Sequence, residues 1–142
     1  MYRRNEARRY LEQYGRVTEK LIQTERELEK LRDAAERMEI NLDGLPHGTG
    51  TSDRVGNVVA EIVDYERELN AIQLQAIQTR REIFQVIQAI LGAHEAMVLS
   101  ELYIHGESLA NIARRCRRSY QWADEMRRRG LDQVADLLEH RV

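Results

Sequence analysis

The sequence has very few of the residues that break helices or cross-link chains. It contains one proline, Pro46, and one cysteine, Cys116, in 142 residues. A single cysteine cannot form an intramolecular disulfide, which agrees with a reducing, intracellular setting. Aromatic residues make up only 6% of the chain, whereas charged residues make up 32%. This composition favours long helices and leaves little material for a large sheet or an aromatic-lined pocket.

Long apolar runs and an excess of one charge are also missing. The stretch "MYRRNEARRYLEQYGR" has no apolar core, so we expect no secretory signal. No run approaches the length of a transmembrane helix, and we expect a cytoplasmic protein without a membrane contact. The net charge is -2, so a nucleic-acid site would have to be local.

Signatures of enzymes and metal sites are absent from the sequence. It has no P-loop, no dinucleotide-binding fingerprint and no convincing pair of nucleophile and base. The four histidines, at 47, 94, 105 and 140, lack the spacing of metal ligands. We therefore expect that the protein is not an enzyme and needs neither a cofactor nor a metal.

Residues 3–39 contain no proline, and apolar residues recur at seven-residue spacing from Ala7 to Leu42. One series comprises Ala7, Tyr14, Leu21, Leu28, Ala35 and Leu42. The other series comprises Tyr10, Val17, Thr24, Leu31 and Met38. This a/d pattern is typical of a helix with a narrow apolar seam that needs a partner.

A second heptad helix follows a glycine-rich loop at about 40–53. Ser52 or Asp53 offers an N-cap, and we expect the helix at about Arg54–Leu91. Its seam comprises Val55, Val58, Ile62, Tyr65, Leu69, Ile72, Ala76, Thr79, Ile83, Val86 and Ile90. Two helices of similar length around a short loop favour an antiparallel coiled-coil hairpin.

Further apolar residues widen the face of this second helix near Phe84 and Ile87. We expect a homo-oligomer, either through the heptad seams or through the Phe84/Ile87 face. The pattern does not distinguish an intramolecular hairpin from a dimeric coiled coil.

The heptads end near Gly92, and shorter helices follow. Gly106 is expected to end one of them. Gly130 either ends another or lies inside a longer helix at a cost of about 1 kcal/mol. We therefore predict an all-α protein with two parts: a heptad hairpin at 1–92 and a small helix-turn-helix bundle at 93–142.

The candidate helix-turn-helix occupies residues 108–130. Ala113 is small enough for close helix approach, and Ser119 offers an N-cap after a short turn. The other inward positions are Leu109, Ile112, Cys116, Ala123 and Met126. Between Gly106 and Arg129 there are seven arginines and three acidic residues, so positive charge is concentrated here.

Residues at the start of the second helix are the candidates for contacts with DNA bases: Tyr120, Gln121 and Trp122. Glutamine can pair bidentately with adenine, whereas Trp122 has the alternative of being buried. The candidates for phosphate contacts are Arg114, Arg115, Arg117, Arg118, Ser119, Arg127 and Arg128. Asp124 and Glu125 lie among them and would repel phosphate, although an acid can accept from cytosine.

The stretch "LYIHGESLANIARRCRRSYQWADEMRRRGLDQVADLL" resembles the helix-turn-helix of sigma-factor region 4. The matching positions are Gly106, Ser108, Ile112, Ala113, Ser119 and Ala123. A heptad helix, a loop with "LPHGTGTSDRV" and a second long helix precede it. In this order the elements resemble the ArpU/RinA-type regulators of late transcription in phages and prophages, over nearly the whole chain.

The resemblance implies a sequence-specific transcription activator that binds double-stranded DNA in the bacterial host cell and contacts the host RNA polymerase. The chain departs from the family in its turn, where Arg117 and Arg118 replace small residues, and at Ala123, where a β-branched residue is usual. The alternative is a coiled-coil interaction, adaptor or phage assembly protein whose basic end binds an acidic protein surface.

Overall fold

The computed structural model describes residues 2–42 and 49–140, and within these ranges the ordered elements are helices, without a strand. The helices are α1 (Tyr2–Leu11), α2 (Gln13–Leu42), α3 (Thr49–Ala89), α4 (Ala93–Tyr103), α5 (Leu109–Arg115) and α6 (Tyr120–Glu139). The predicted all-α class is confirmed. In the described part of the chain, no helix combines the length and apolarity needed to cross a membrane.

The long helices differ from the prediction at their ends. The first heptad helix is interrupted at Glu12, and α3 begins at Thr49 instead of Arg54. Ser52 and Asp53 therefore lie inside α3 and do not cap it. The physical reason is that threonine, serine and glycine only weaken a helix, by up to about 1 kcal/mol each. The rest of the predicted loop, at 43–48, lies outside the described residues.

One compact unit comprises Thr18–Gln75, from near the start of α2 to the second half of α3. Arg32 Nη2 of α2 lies 3.1 Å from Glu66 Oε1 of α3, so the two helices meet at this point. The buried side chains of this unit, among the described residues, are Thr24, Leu28 and Ile72. All three belong to the predicted heptad seams, so the seams are buried here but thinly.

The other unit comprises Met1–Val17 and Ala76–Val142. Its main core cluster joins both ends of the chain: Ala7, Leu11, Ile83, Val86, Ile87, Ile90, Leu99, Ile104, Leu131, Val134 and Ala135. The predicted division at residue 92 is therefore not where the contacts divide the chain. The reason is that α1 and the end of α3 bury their heptad side chains against α6, which sequence spacing alone does not reveal.

Ion pairs strengthen the contact between α1 and α6 in this unit. Arg3 pairs with Asp136 and Glu139, and Arg4 Nε lies 2.7 Å from an Asp132 oxygen. The basic start of the chain thus lies against the acidic outer face of α6. This contact explains why the N-terminal helix belongs with the C-terminal helices.

Gly130 lies inside α6 and does not end it, so the second of the two predicted alternatives, a longer helix, is the one observed. A Cβ atom at Gly130 would lie 2.7 Å from Leu99 Cδ1. Glycine is therefore required for the close approach of α4 and α6, at the expense of helix propensity.

Phe84 and Ile87 do not share one exposed face. Ile87 is 2% exposed in the main core cluster, whereas Phe84 is 36% exposed. Ile87 is therefore buried within its own chain and is not part of an exposed face, whereas oligomerisation itself stays a prediction. The apolar residues of α3 that do remain exposed in this unit are Ile77 and Phe84, and Leu91, just after α3, is exposed as well.

Candidate nucleic-acid interface

The segment from α4 to α5 is shaped by a glycine and a serine. Gly106 has a φ of 72°, a left-handed conformation that favours glycine. Ser108 then caps α5, since its hydroxyl accepts from the Asn111 N–H at 3.2 Å. The chain therefore turns sharply after α4, as the glycine predicted, and α5 begins directly after Ser108.

The turn between α5 and α6 contains a strained residue. Arg117 has a φ of 55°, and a side chain in this conformation costs about 1–2 kcal/mol relative to the usual helical region. Ser119 ends the turn and caps α6 by accepting from the Trp122 N–H at 3.1 Å. The predicted N-cap at Ser119 is confirmed, and Arg117 takes the place at which the resembling family has small residues.

The inner faces of α5 and α6 are apolar and well buried. Ile112 and Ala123 are fully buried, and Ala113 is 4% exposed. Val98, Ile112 and Met126 form a second core cluster, with Leu109, Cys116 and Trp122 packed against it. All the predicted inward positions are therefore buried or partly buried, and α5, the turn and α6 form one body with α4.

Tyr120 and Gln121 point to solvent at the start of α6. Tyr120 is 57% exposed, and Gln121 is exposed as well. Trp122 differs, because its ring is half-buried and meets the His94 ring edge-to-face at 5.6 Å between centroids. The Arg118 guanidinium lies 5.5 Å from the Trp122 ring centroid. Tyr120 and Gln121 are thus free to meet a ligand, whereas Trp122 packs against the protein.

The arginines of the segment fall into two groups. Three of the predicted phosphate contacts already have acidic partners: Arg115 with Glu101 at 2.9 Å, Arg127 with Asp124 at 2.7 Å and Arg128 with Asp124 at 3.3 Å. Within the described part of the chain, Arg114, Arg117 and Arg118 form no ion pair. These three unpaired arginines form the second group. They are exposed around the turn between α5 and α6 and give it a positively charged surface.

Asp124 and Glu125 are neutralised within α6. Asp124 pairs with Arg127 and Arg128, and Glu125 Oε1 lies 2.7 Å from Arg129 Nη2. These partners lie three or four residues further on, the spacing at which helical side chains meet. The repulsion of phosphate expected from the two acids is therefore reduced, and exposed ion pairs of this kind are weak enough to exchange partners.

Sequence analysis missed the contribution of α1 to this side of the molecule. Arg4, Asn5 and Arg8 of α1 line one cleft together with Arg127 and Arg128 of α6. The available signal was the repeat of arginines four residues apart in "YRRNEARRY", which places them on one helix face. It could not reveal that α6 lies beside that face.

Comparison with protein-family models, curated proteins and solved structures finds no match for this chain. The resemblance to ArpU/RinA-type regulators therefore stays a prediction. Any functional conclusion has to rest on the residues themselves.

Proposed function

We propose that the protein is a sequence-specific DNA-binding transcription regulator of phage or prophage type, acting as an activator of late genes. The observation that carries the proposal is the α5–turn–α6 unit. Two serine-capped helices pack through Ile112, Ala113 and Ala123, and the second presents Tyr120 and Gln121 to solvent. A rigid pair of helices with polar side chains at the start of the second is what a helix-turn-helix presents to the major groove.

In this proposal Tyr120 and Gln121 contact base edges. The Gln121 amide can pair with adenine, and the Tyr120 ring can lie against a thymine methyl group. Trp122 positions the start of α6 by packing on His94, which replaces the base contact predicted for it.

Phosphate contacts come from the arginines around the turn. Arg114, Arg117 and Arg118 are exposed and form no ion pair among the described residues, so they can bind phosphate without losing an acidic partner. Arg115, Arg127 and Arg128 would have to exchange a carboxylate for a phosphate oxygen. The Ser119 hydroxyl caps α6 and lies at the helix end, where phosphates are commonly held.

The heptad helices serve as the arm for oligomerisation or for contact with RNA polymerase. In this proposal α2 and the first half of α3 form an antiparallel hairpin, which the ion pair between Arg32 and Glu66 supports. Exposed apolar residues such as Ile77 and Phe84 extend along α3. A second copy would present a second helix-turn-helix, and such proteins often bind paired half-sites.

Selection of bound duplexes from a random pool, followed by affinity measurements on the selected sequence, tests this function. Gln121→Ala should reduce the preference for that sequence by about 1–3 kcal/mol, the value of one good bidentate base contact. Gln78→Ala, at an exposed glutamine of α3, is the control and should leave the preference unchanged. Failure of the purified protein to bind any duplex at low salt would rule the function out.

The second candidate is a coiled-coil interaction or phage assembly protein with a basic partner-binding end. The observation that favours it is the set of exposed apolar residues on α3, including Leu74 at 62% and Ile77 at 58% exposure. This candidate predicts stable association with an acidic protein and no preference among duplexes.

A further inference from the structure

A cleft between α1 and α6 is lined mainly by basic and polar residues. Its volume is about 200 Å³, and it opens to solvent. The lining residues are Arg4, Asn5, Arg8, Arg127, Arg128 and Leu131. Four of these six residues are arginines, from two helices, and none of the described residues that line the cleft carries a carboxylate.

Three of these arginines are held in place by carboxylates that do not line the cleft. Arg4 donates twice to Asp132, at 2.7 and 3.0 Å, and Arg127 and Arg128 share Asp124. Arg127 is also the most enclosed of them, with its side chain 25% exposed. Because it is partly enclosed as well as paired, Arg127 loses less conformational freedom on binding an anion than a fully exposed arginine does.

Arg8 is the least engaged of the four. Its Nε lies 3.6 Å from Glu12 Oε1, which is longer than a hydrogen bond. Its guanidinium donors are therefore available to a ligand. The planar fork of arginine matches the oxygens of a phosphate group, and such charge-assisted pairs are among the stronger hydrogen bonds in proteins. The chemistry of the cleft is that of a phosphate site.

The cleft lies on the same face of α6 as Gln121, which is one of the proposed base contacts. Arg128 follows Gln121 by seven residues, which places the two on the same face of α6 and about 10 Å apart along the helix. The major groove is about 12 Å wide. When Gln121 contacts a base in the groove, the phosphates of the groove edge therefore lie about as far from Gln121 as Arg128 does.

The geometry points to a phosphate of the duplex backbone as the ligand of this cleft, with Arg4 and Arg8 of α1 among its contacts. This inference rests on the proposed function and extends it, because the first helix of the chain becomes part of the DNA-binding surface. The helix-turn-helix and the N-terminal helix would then hold the same duplex.

Substitution of adjacent arginines tests the inference. Arg8→Gln removes a cleft residue, and Arg9→Gln removes an exposed arginine that does not line the cleft. Loss of one phosphate contact lowers the slope of log K against log salt by about 0.9, which is about eightfold in affinity at 0.1 M salt. We expect this change for Arg8→Gln on every duplex, with Arg9→Gln close to wild type. Circular dichroism checks that both variants fold.

The outcomes separate the cleft from the wider function. Equal effects of the two substitutions, or none from Arg8→Gln, while the wild type still binds duplex, would overturn the cleft assignment and leave the helix-turn-helix intact. If the wild type binds no duplex, titration with inorganic pyrophosphate shows whether the cleft binds free phosphate compounds instead. Pyrophosphate binding that Arg8→Gln abolishes would make free phosphate compounds the ligand and overturn the duplex assignment. Binding of neither would overturn both proposals.

Discussion

The two compact units of this protein use the same heptad pattern to different extents. The unit at Thr18–Gln75 buries Thr24, Leu28 and Ile72 among its described residues, whereas the other unit buries two clusters of aliphatic side chains. The same heptad spacing thus buries few side chains where two helices meet and a large cluster of side chains where several helices pack together. The candidate DNA-binding surface lies on the unit that has the core, which suits side chains that have to be held in place.

Glycines give a second contrast between the units. A Cβ atom at Gly56 would meet nothing within 4 Å, whereas one at Gly130 would meet Leu99 at 2.7 Å. Gly56 thus lies on an open helix surface, whereas Gly130 permits the close packing of α6 against Leu99. A glycine-to-alanine substitution should therefore change the free energy of unfolding in opposite directions at Gly56 and at Gly130.

The largest effect is expected from truncation of a core leucine. Leu11→Ala should lower the free energy of unfolding by about 2–5 kcal/mol, because Leu11 is fully buried in the main core cluster. Leu28→Ala, at the thin seam, should cost less, since fewer neighbours surround the space that it leaves. Urea unfolding followed by circular dichroism measures both, and Leu74→Ala, at a 62% exposed residue, is the control. A greater loss for Leu28→Ala would reverse the comparison.

A smaller effect is expected from the glycines. Gly130→Ala should destabilise the protein by about 1–2 kcal/mol, because Leu99 is buried and cannot move away from the new methyl group. Gly56→Ala should stabilise it by up to about 1 kcal/mol through helix propensity. Thermal and urea unfolding of both variants would show the opposite signs. Stabilisation by both substitutions would mean that α4 and α6 do not approach closely.

The smallest effect concerns pH. The hydrogen bond from Arg4 lowers the pKa of Asp132 below its ordinary value of 3.8. A lowered pKa in the folded state contributes stability above pH 3.8, and this contribution is lost as the pH falls through the folded pKa. Arg4→Gln should therefore destabilise the protein near neutral pH, and the difference from wild type should shrink below about pH 3.8. Urea unfolding near neutral pH and below about pH 3.8 measures this difference in stability, with Arg9→Gln as the control. A difference between Arg4→Gln and wild type that persists in acid would contradict the ion pair.

Local patterns in the sequence were sufficient for the helical class and for the N-cap of α6 at Ser119, but not for the start of α3, which was expected at Ser52 or Asp53. Ser119 and Ser108 occupy positions at which a side-chain oxygen meets a helix N-terminus, and the inward positions Ile112 and Ala123 follow helical spacing. These features depend on residues a few positions apart. They are therefore visible in the sequence without knowledge of the fold.

Contacts between distant segments could not be predicted in the same way. Arg4 and Asp132 are 128 residues apart, and no spacing rule relates them. The burial of Ile87 and the fit of Gly130 against Leu99 likewise depend on which helices become neighbours. For the same reason the arginine cleft between α1 and α6 was invisible in the sequence, although its arginines were conspicuous.

The central claim is that α5, the turn and α6 bind DNA with sequence preference. The most direct test measures the affinity of the full chain for a selected duplex and for a scrambled duplex of the same composition, over a range of salt concentrations. The account predicts tighter binding to the selected duplex at every salt concentration and weaker binding to both duplexes as salt rises. Equal affinity for the two duplexes, or no binding at low salt, would contradict it.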